Sequence, residues 1–551
     1  MKLTPFGKLF LVLIVLGVLG FIGFKKYGDQ IKAWSGAGQP GKTGEITKDD
    51  FKAATGGDVT KTDFQGDYKD SPRVGEVAVG TKSPGITDGK LNRPLVVGIN
   101  TWAGHAPGIV ANGGMDPGSA ASIYKKKYGL DVKFVLLEDP NTKLNAFMKG
   151  EVDIMWDTVD SYAREASVLA EKGMAAKSIL QEDWSRGGDG IVSLKTIKSV
   201  EDLKGKKIAS TKFTPSHWLL LFLLSQSGLS QADRNEIEKN IVWTNEAPLA
   251  AAAFKAKTVD AAVTWEPDLS GAVTARADEA HVLISTTAAT HVIADTLVAR
   301  QDLIDKAPAT VRDFVAGWFD GISVMQEDPN GTNALIGKSL KLAEEDVSGM
   351  LSGLKLTGFG DNALFYGLSG QRSYFDSLFN GAFVIWRKKG VVTKSVDAKD
   401  WRDDRFAAAV ADQFKSQKVE ESFAFKSKPN VKDRAIVNKS LSIHFTTGSA
   451  EIMPGSYFTL DSLGDTMLAF GNTFLKVEGN TDSRGQAAVN KSLSQKRAEA
   501  VTEYLIKNFN IPRERFVAEG KGSENPVAGN ETEDGRAQNR RTDIKVLLNV
   551  Q

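Results

Sequence analysis

Seven residues near the C-terminus, Gly479-Asn480-Thr481-Asp482-Ser483-Arg484-Gly485, lead from an apolar strand into a helix that carries Asn490 and Arg497. At about 100° per residue, one face of that helix, about 120° wide, is made by Val489, Ala500, Leu493, Tyr504, Arg497, Asn490 and Val501. A guanidinium inside an apolar face is costly unless a carboxylate meets it, and Asp482 is the nearest candidate in sequence. Two interpretations follow: a binding site, or an ion pair that only joins strand to helix.

Three motifs in order extend this stretch. They are Gly479 to Gly485, then Asn490 with Leu493-Ser494-Gln495-Lys496-Arg497-Ala498, and then Gly535-Arg536-Ala537-Gln538-Asn539-Arg540-Arg541. They are preceded by Ile443-His444-Phe445 and Gly448-Ser449-Ala450. With these motifs, residues 437–551 resemble the OmpA-like peptidoglycan-binding domain, which implies an α+β fold.

The resemblance implies that Asp482 and Arg497 bind the diaminopimelate side chain of the cell-wall peptide. That side chain ends in a zwitterion, so a carboxylate must take its ammonium and a guanidinium must take its carboxylate in fork geometry. Asn490 would add a neutral hydrogen bond, and Arg540 of the third motif is assigned to the same site. Peptidoglycan is therefore an expected partner.

Composition excludes several kinds of chemistry. The chain of 551 residues has no cysteine, which rules out disulfides, thiol nucleophiles and cysteine-ligated zinc. Its five histidines lack metal-ligand spacing, so neither a metal site nor a cofactor is expected. A net charge of +1 does not indicate nucleic acid as a partner. We find no acid/base couple, nucleophile elbow or phosphate loop, and therefore do not expect an enzyme.

Residues 1–27 are expected to form a transmembrane anchor or a signal segment. The apolar run at 9–24 spans about 24 Å, a little short of the roughly 30 Å hydrocarbon core, and flanking lysines can snorkel to the interface. We favour an uncleaved anchor in the inner membrane over a cleaved signal peptide; either places the bulk of the chain in the periplasm. Residues 28–92, rich in Gly, Lys, Asp and Thr, predict a flexible linker.

Residues 93–425 predict an α/β domain with two lobes. Strands are expected at 95–99, 132–137, 152–156, 207–210, 241–244 and 259–265, alternating with helices at 119–128, 142–149, 216–227 and 249–256. Such alternation is typical of a parallel sheet, and its restart after residue 191 indicates a second lobe. Helices at 308–325 and 334–351 are expected to complete the first lobe, and a short linker at 426–436 follows.

Five short motifs carry a second resemblance. They are Gly98-Ile99-Asn100-Thr101-Trp102, Tyr128-Gly129-Leu130-Asp131-Val132, Gly150-Glu151-Val152-Asp153-Ile154, Val200-Glu201-Asp202-Leu203-Lys204-Gly205-Lys206-Lys207-Ile208-Ala209 and Val263-Thr264-Trp265-Glu266-Pro267. The region resembles the periplasmic solute-binding proteins of ABC importers, in particular the nitrate, sulfonate, taurine and thiamine-precursor group. This implies a domain that closes on a small solute and passes it to an ABC permease or reports to another protein. A structural tether between inner membrane and wall, without a solute, is the alternative.

Two signals in the predicted cleft differ in the charge they favour. A helix start at Thr214 and Pro215 offers free backbone N–H groups which, with Thr211, Ser216 and His217, suit an anion. Indoles beside carboxylates suit a cation, and Gly188 allows close approach of backbone to a ligand. These indole segments are Trp102, Trp156 with Asp157 and Thr158, Trp184 with Ser185 and Asp189, and Trp265 with Glu266. A zwitterionic or amine-bearing solute satisfies both signals; its identity and the oligomeric state stay open.

Overall fold

A computed structural model describes residues 85–244, 246–368, 370, 372–419, 425, 435–446 and 448–549. The predicted anchor at 1–27, most of the linker at 28–92 and most of the linker at 426–436 lie outside these residues. The end of the first predicted linker forms a hairpin of β1 (Ile86–Thr87) and β2 (Lys90–Leu91), which packs against the first lobe. No helix in the described part of the chain has the length and apolar character that crossing a bilayer requires.

The first lobe is built on a six-stranded sheet. Its strands are β3 (Leu95–Ile99), β4 (Val132–Leu136), β5 (Ile154–Thr158), β6 (Ala176–Ser185), β12 (Ala294–Arg300) and β13 (Leu354–Leu356), in the order β13-β6-β12-β5-β3-β4. Strands β3, β4 and β5 are parallel, as predicted. The expectation of a purely parallel sheet is wrong, because β12 and β13 run against their neighbours.

The second lobe has a five-stranded sheet. Its strands are β7 (Asp189–Leu194), β8 (Ile208–Thr211), β9 (Ile241–Thr244), β10 (Ala261–Trp265) and β11 (Ala280–Ser285), in the order β11-β7-β10-β8-β9. Here only β7 runs against its neighbours. The chain enters this lobe along β7 and returns to the first lobe along β12, so each sheet gains one reversed strand where the chain crosses over.

Helices pack on these two sheets. They are α1 (Ala106–Asn112), α2 (Ile123–Tyr128), α3 (Pro140–Lys149), α4 (Val159–Glu171), α5 (Pro215–Gln226), α6 (Gln231–Lys239), α7 (Ala247–Lys255), α8 (Asp268–Ala275), α9 (Gln301–Lys306), α10 (Pro308–Glu327), α11 (Asn333–Leu340), α12 (Glu344–Ser352), α13 (Phe359–Tyr366), α14 (Tyr374–Lys388), α15 (Arg405–Ala409) and α16 (Ala411–Phe414). The single helix predicted at 334–351 is two helices, because Lys341 takes a left-handed conformation with φ of 59° and ends α11.

Two short connections join the lobes. They comprise residues 186–188, between β6 and β7, and residues 286–293, between β11 and β12. Glycine is required at position 188, because a Cβ atom there would lie 2.7 Å from Cη2 of Trp102 and 2.9 Å from the carbonyl oxygen of Gly353. The first connection is therefore packed directly against the end of the first lobe.

The C-terminal part is a separate four-stranded sheet with helices. Its elements are β14 (Val437–Leu441), α17 (Tyr457–Ala469), β15 (Thr473–Asn480), α18 (Ala487–Phe509), β16 (Phe516–Gly522), α19 (Glu533–Asn539) and β17 (Thr542–Leu548), with strand order β14-β17-β15-β16. Strands β15 and β16 are parallel, and the other pairs are antiparallel. We call residues 435–549 the wall domain.

The buried face of α18 differs from the predicted one. It consists of Asn490, Ser494, Ala498, Val501, Thr502, Leu505 and Phe509. Val489, predicted to face the core, is 57% exposed. The helix is rotated because its small residues face the sheet: a Cβ atom on Gly479 would lie only 2.2 Å from the carbonyl oxygen of Ser494.

The wall domain contacts the second connection between the lobes. The backbone N–H of His291 donates to the carbonyl oxygen of Ala469 at 3.1 Å. The side-chain amide of Asn472 donates to the carbonyl oxygen of Thr287 at 3.2 Å. Residues 287 and 291 thus belong to a connection between the two lobes and are also hydrogen-bonded to the wall domain.

Candidate functional site

Asp482 of the wall domain is held by two donors. Its Oδ2 accepts a hydrogen bond from Nη1 of Arg540 at 2.7 Å, and its Oδ1 accepts from the backbone N–H of Arg484 at 3.0 Å. Arg540 also reaches Glu533, with 2.7 Å between Nη2 and Oε1. The carboxylate therefore stands on the strand-end loop in a fixed orientation, and its ion-pair partner is Arg540.

Arg497 has no carboxylate partner among the described residues. Its Nε donates to the carbonyl oxygen of Ser449 at 3.1 Å, and its guanidinium lies 4.9 Å from the ring centroid of Phe445. Burial lowers the pKa of Arg497, the charge of Arg540 lowers it further, and Asp482 raises it in part. The ion pair between Asp482 and Arg497 that the sequence left open is thus not formed, although the two groups lie close enough to interact.

Asn490 organises the loop that carries Asp482. Its Nδ2 donates to the carbonyl oxygens of Asp482 at 3.3 Å and Arg484 at 2.9 Å. The amide donors expected to meet a ligand are used inside the protein, so Asn490 acts on the predicted site through the backbone it holds.

A row of three polar side chains lies at one end of the first-lobe sheet. Asp295 on β12 is directly opposite Asp183 on β6 and opposite Thr158 on β5. Side chains at opposed positions on neighbouring strands share a face of the sheet. Nε1 of Trp102 donates to Oδ2 of Asp183 at 2.9 Å. We call Asp183, Asp295 and Thr158 the cleft row.

Asp189 begins β7 just beyond the first connection. Its Oδ2 accepts from Oγ of Ser185 at 2.7 Å, and that hydroxyl also contacts Oγ1 of Thr286 at 2.8 Å. Ser185 and Asp189, on either side of the first connection, are therefore linked by hydrogen bonds to Thr286 of the second. A role of Ser185, Gly188 and Asp189 in solute binding stays a prediction.

Burial is the largest cause of the raised pKa values of the aspartates in this region. It raises the pKa values of Asp160, Asp183 and Asp189 to about 7. For Asp183 the neighbouring Glu182 adds repulsion, and for Asp160 the neighbouring Asp189 does so. Burial raises the pKa of Asp295 as well, with repulsion from Asp183 next in size. These acids hold protons near neutral pH unless a cation approaches.

Trp156 and Asp157 both contact the ammonium group of Lys143. Nζ of Lys143 lies 4.5 Å from the Trp156 ring centroid and 3.2 Å from Oδ2 of Asp157. Nε1 of Trp156 donates to the carbonyl oxygen of Leu137 at 3.2 Å. The indole and acid expected to receive the amine of a solute receive that of Lys143 instead, so the charge they offer is used within the first lobe.

The remaining predicted indoles lie apart from each other. Trp184 is buried and packs edge-on against His291, Phe365 and Tyr374. Trp265 ends β10 opposite Asp189, and the carboxylate of Glu266 accepts hydrogen bonds from the backbone and hydroxyl of Ser270. The geometry thus gathers Trp102, but not all four indoles, at the cleft row.

The helix start expected to bind an anion has two lysines close enough to act on it, Lys212 and Lys389. Thr211 pairs with Thr244, with 2.8 Å between the hydroxyl oxygens. Burial, with repulsion from Lys389 and Lys212, lowers the pKa of His217 to about 3, so its imidazole is neutral. Its Nδ1 accepts from the backbone N–H of Phe213 at 3.2 Å. Oγ of Ser216 is buried without a hydrogen-bond partner.

Sequence reasoning missed several acids of this region. Asp160 follows the predicted strand end by only a few residues and could have been included on that ground. Asp295 had no such signal, because strand β12 was not predicted. Glu182 and His105, whose Oε2 and Nδ1 are 2.6 Å apart, form a fully buried pair that joins β6 to the turn after Trp102.

Comparisons with known proteins match both regions. The NMT1/THI5-like family matches residues 124–332, and the OmpA family matches residues 444–540. Outer membrane porin F of Pseudomonas aeruginosa is 37% identical over 111 residues, 20% of this chain and 32% of that protein. Peptidoglycan-binding protein ArfA of Mycobacterium tuberculosis is 35% identical over 104 residues, 19% of this chain and 32% of that protein. The chain thus spans about a third of the length of these curated relatives.

Solved structures resemble the region before the wall domain. The periplasmic aliphatic sulphonate binding protein of Escherichia coli has 20% identity and a TM-score of 0.44, covering 57% of this chain and 99% of its own. The periplasmic nitrate-binding protein of Synechocystis has 13% identity and a TM-score of 0.44, covering 58% of this chain and 88% of its own. This chain combines an NMT1/THI5-like domain with a C-terminal OmpA-family domain.

Proposed function

We propose that this chain is a periplasmic envelope protein that binds a small solute between its two lobes and binds diaminopimelate-containing peptidoglycan with its wall domain. An N-terminal anchor would hold it at the inner membrane, and an ABC permease is one destination for the solute. The match to the OmpA family and the 35% identity to the peptidoglycan-binding protein ArfA support the peptidoglycan part. The NMT1/THI5-like match supports the solute part.

The guanidinium of Arg497 is the observation that carries the peptidoglycan proposal. It is half-buried and lacks a carboxylate partner in the described part of the chain. Asp482 lies near enough to raise its pKa. A diaminopimelate carboxylate would supply the missing acid, while its ammonium would meet Asp482. Glu533 can retain Arg540 when Asp482 turns to a ligand, because Arg540 already contacts both acids.

Co-sedimentation with purified sacculi tests this part. We expect Arg497→Ala and Asp482→Ala each to abolish binding while the circular dichroism spectrum stays that of a folded protein. Arg513→Ala is the matched control, because Arg513 is an exposed arginine of the same domain that pairs with Glu503 and not with Asp482 or Arg497. Wall binding retained by both site variants would contradict the proposal.

The solute part is supported by buried polar groups that lie where two connections join two lobes. Such hinged domains close around ligands. We favour an amine-bearing or zwitterionic solute, because acids predominate beside Trp102. Mass spectrometry of the native protein tests this part by identifying a co-purified molecule, and that molecule should raise the melting temperature when added back. Absence of any solute, with no stabilisation by candidate ligands, would favour the tether alternative.

A further inference from the structure

We propose that the solute is an organic ammonium compound, held by the carboxylates of Asp183 and Asp295 and the hydroxyl of Thr158. This inference rests on the proposed solute-binding function, narrows the solute to an ammonium compound and adds the residues that hold its ammonium group. It departs from an anionic solute, which the start of α5 suggested from sequence.

The cleft row brings two carboxylates together without a cation between them. Asp183 and Asp295 are direct partners on adjacent antiparallel strands, a relationship that places Cβ atoms about 4.5–5.5 Å apart. Asp183 is fully buried and Asp295 is 6% exposed. Two buried carboxylates at this separation need either a shared proton or a bound cation.

Unused acceptors surround this pair. Oδ2 of Asp183 takes the indole N–H of Trp102, and Oδ1 is buried without an N–H or hydroxyl donor. The carboxyls of Asp183 and Asp295 share a hydrogen bond when one of them is protonated. Oγ1 of Thr158 is buried too; it has no partner at strict hydrogen-bond geometry, but it interacts with the carboxyl of Asp160 and lowers the pKa of that acid. An ammonium group has three donors and no acceptor, which complements such a set.

The cations near the row already have partners. His105 contacts Glu182, Lys355 on β13 contacts Asp361 at 2.6 Å, and Lys143 lies between Asp157 and Glu165. Arg186 in the first connection places Nη2 3.1 Å from Nε2 of His291. The other charged groups that face the row, Glu182, Asp189 and Asp160, are acids. A cationic ligand therefore meets acids that can ionise in its presence and has no unpaired cation of these residues to repel it.

An organic cation fits better than a metal ion. Among the described residues, no group of three or more His, Asp or Glu side chains is arranged to hold a metal. The row instead combines two acids with a hydroxyl and the indole of Trp102, so it can bind N–H groups and contact a carbon chain. A ligand with at least one primary ammonium group meets these requirements.

Binding should also release a proton. The acids of the row are protonated near neutral pH in the empty protein, since burial and mutual repulsion raise their pKa values. An ammonium ion favours the ionised carboxylates and displaces that proton. We therefore expect affinity to increase from pH 5.5 to about 7 and to level off above it.

Isothermal titration of the full chain with ethanolamine, putrescine and spermidine tests the proposal, with taurine and ethanesulfonate as comparison probes. We expect at least one amine to bind, with about one proton released when buffers of different ionisation enthalpy are compared at pH 6.5. Asp183→Asn and Asp295→Asn should weaken that binding at least tenfold, and Thr158→Val should weaken it less. Asp116→Asn, on an exposed aspartate, is the matched control and should leave it unchanged.

Each contrary result has a distinct meaning. Binding of ethanesulfonate but of none of the amines would overturn the ammonium assignment and leave the solute-binding function standing. Amine binding that survives Asp183→Asn and Asp295→Asn, in variants whose melting curves show a folded protein, would overturn the site. Failure of all probes would also overturn the ammonium assignment, and a neutral or anionic co-purified molecule would then show that solute binding itself persists.

Discussion

Lys143 and Asp157 form an ion pair inside the first lobe, with 3.2 Å between Nζ and Oδ2 and side chains no more than 1% exposed. Glu165 lies at the same distance from the lysine. Burial raises the pKa of Asp157, repulsion from Glu165 raises it further, and Lys143 lowers it. Lys143 is thus shared by two buried acids, and Glu165 has a second partner in Arg164, with 3.1 Å between Nη2 and Oε1.

Lys143→Met should destabilise the protein by about 3–5 kcal/mol, because removing one partner leaves buried charge uncompensated. Urea unfolding followed by circular dichroism measures the change. Lys149→Met, at an exposed position on the same helix, is the control and should change stability by less than about 0.5 kcal/mol. Combining Lys143→Met with Asp157→Asn and Glu165→Gln should recover part of the loss; no recovery would contradict this account.

The empty protein should become less stable as pH rises from about 4 to about 7. Asp160, Asp183 and Asp189 have pKa values of about 7 when folded, against about 3.9 in an unfolded chain. The folded state binds more protons than the unfolded state in this window. The stabilisation that comes from protonating these acids is therefore full below pH 4 and lost above pH 7. Calorimetric melting temperatures between pH 4.5 and 8.5 check this, and Asp183→Asn should flatten the profile. A melting temperature that rises with pH would contradict it.

Gly104→Ala should impair both folding and solute binding. A Cβ atom at position 104 would lie 1.8 Å from Oδ2 of Asp183 and 2.8 Å from the indole of Trp102, so both side chains must move. Gly349→Ala is the matched control, because nothing lies within 4 Å of a Cβ atom there and the site is within a helix. It should stabilise the protein by about 0.5–1 kcal/mol. Equal melting temperatures for the two variants would contradict the close packing at Gly104.

Asn490→Ala should weaken binding to sacculi about tenfold while the wall domain stays folded. The change removes both hydrogen bonds that hold the loop of Asp482, at a cost of about 1–3 kcal/mol in stability. Quantitative co-sedimentation and thermal melting measure the two effects. Asn508→Ala removes an exposed amide that bonds only within α18 and serves as the control. Unchanged wall affinity in Asn490→Ala would mean that the loop keeps its shape without the amide.

The motifs and hydrophobic runs were sufficient to recognise both family resemblances and to predict most strands between β3 and β10. They were insufficient for strand direction, because β12 pairs with partners more than a hundred residues earlier in the chain. For the same reason the cleft row was not foreseen: Asp295 meets Asp183 only through that pairing. The partner of Trp156 was missed because a lysine on a predicted helix is expected at the surface, whereas Lys143 is buried in the fold.

The hydrogen bond between the backbone of His291 and Ala469 has a mechanical consequence. Opening the lobes would require rotation about both connections, residues 186–188 and 286–293, and the wall domain is hydrogen-bonded to two residues of the second. The wall domain must then move together with this connection, or the two hydrogen bonds must break. Under the proposed attachments to the sacculus and to a bilayer, tension in the envelope would change how readily the lobes release a solute.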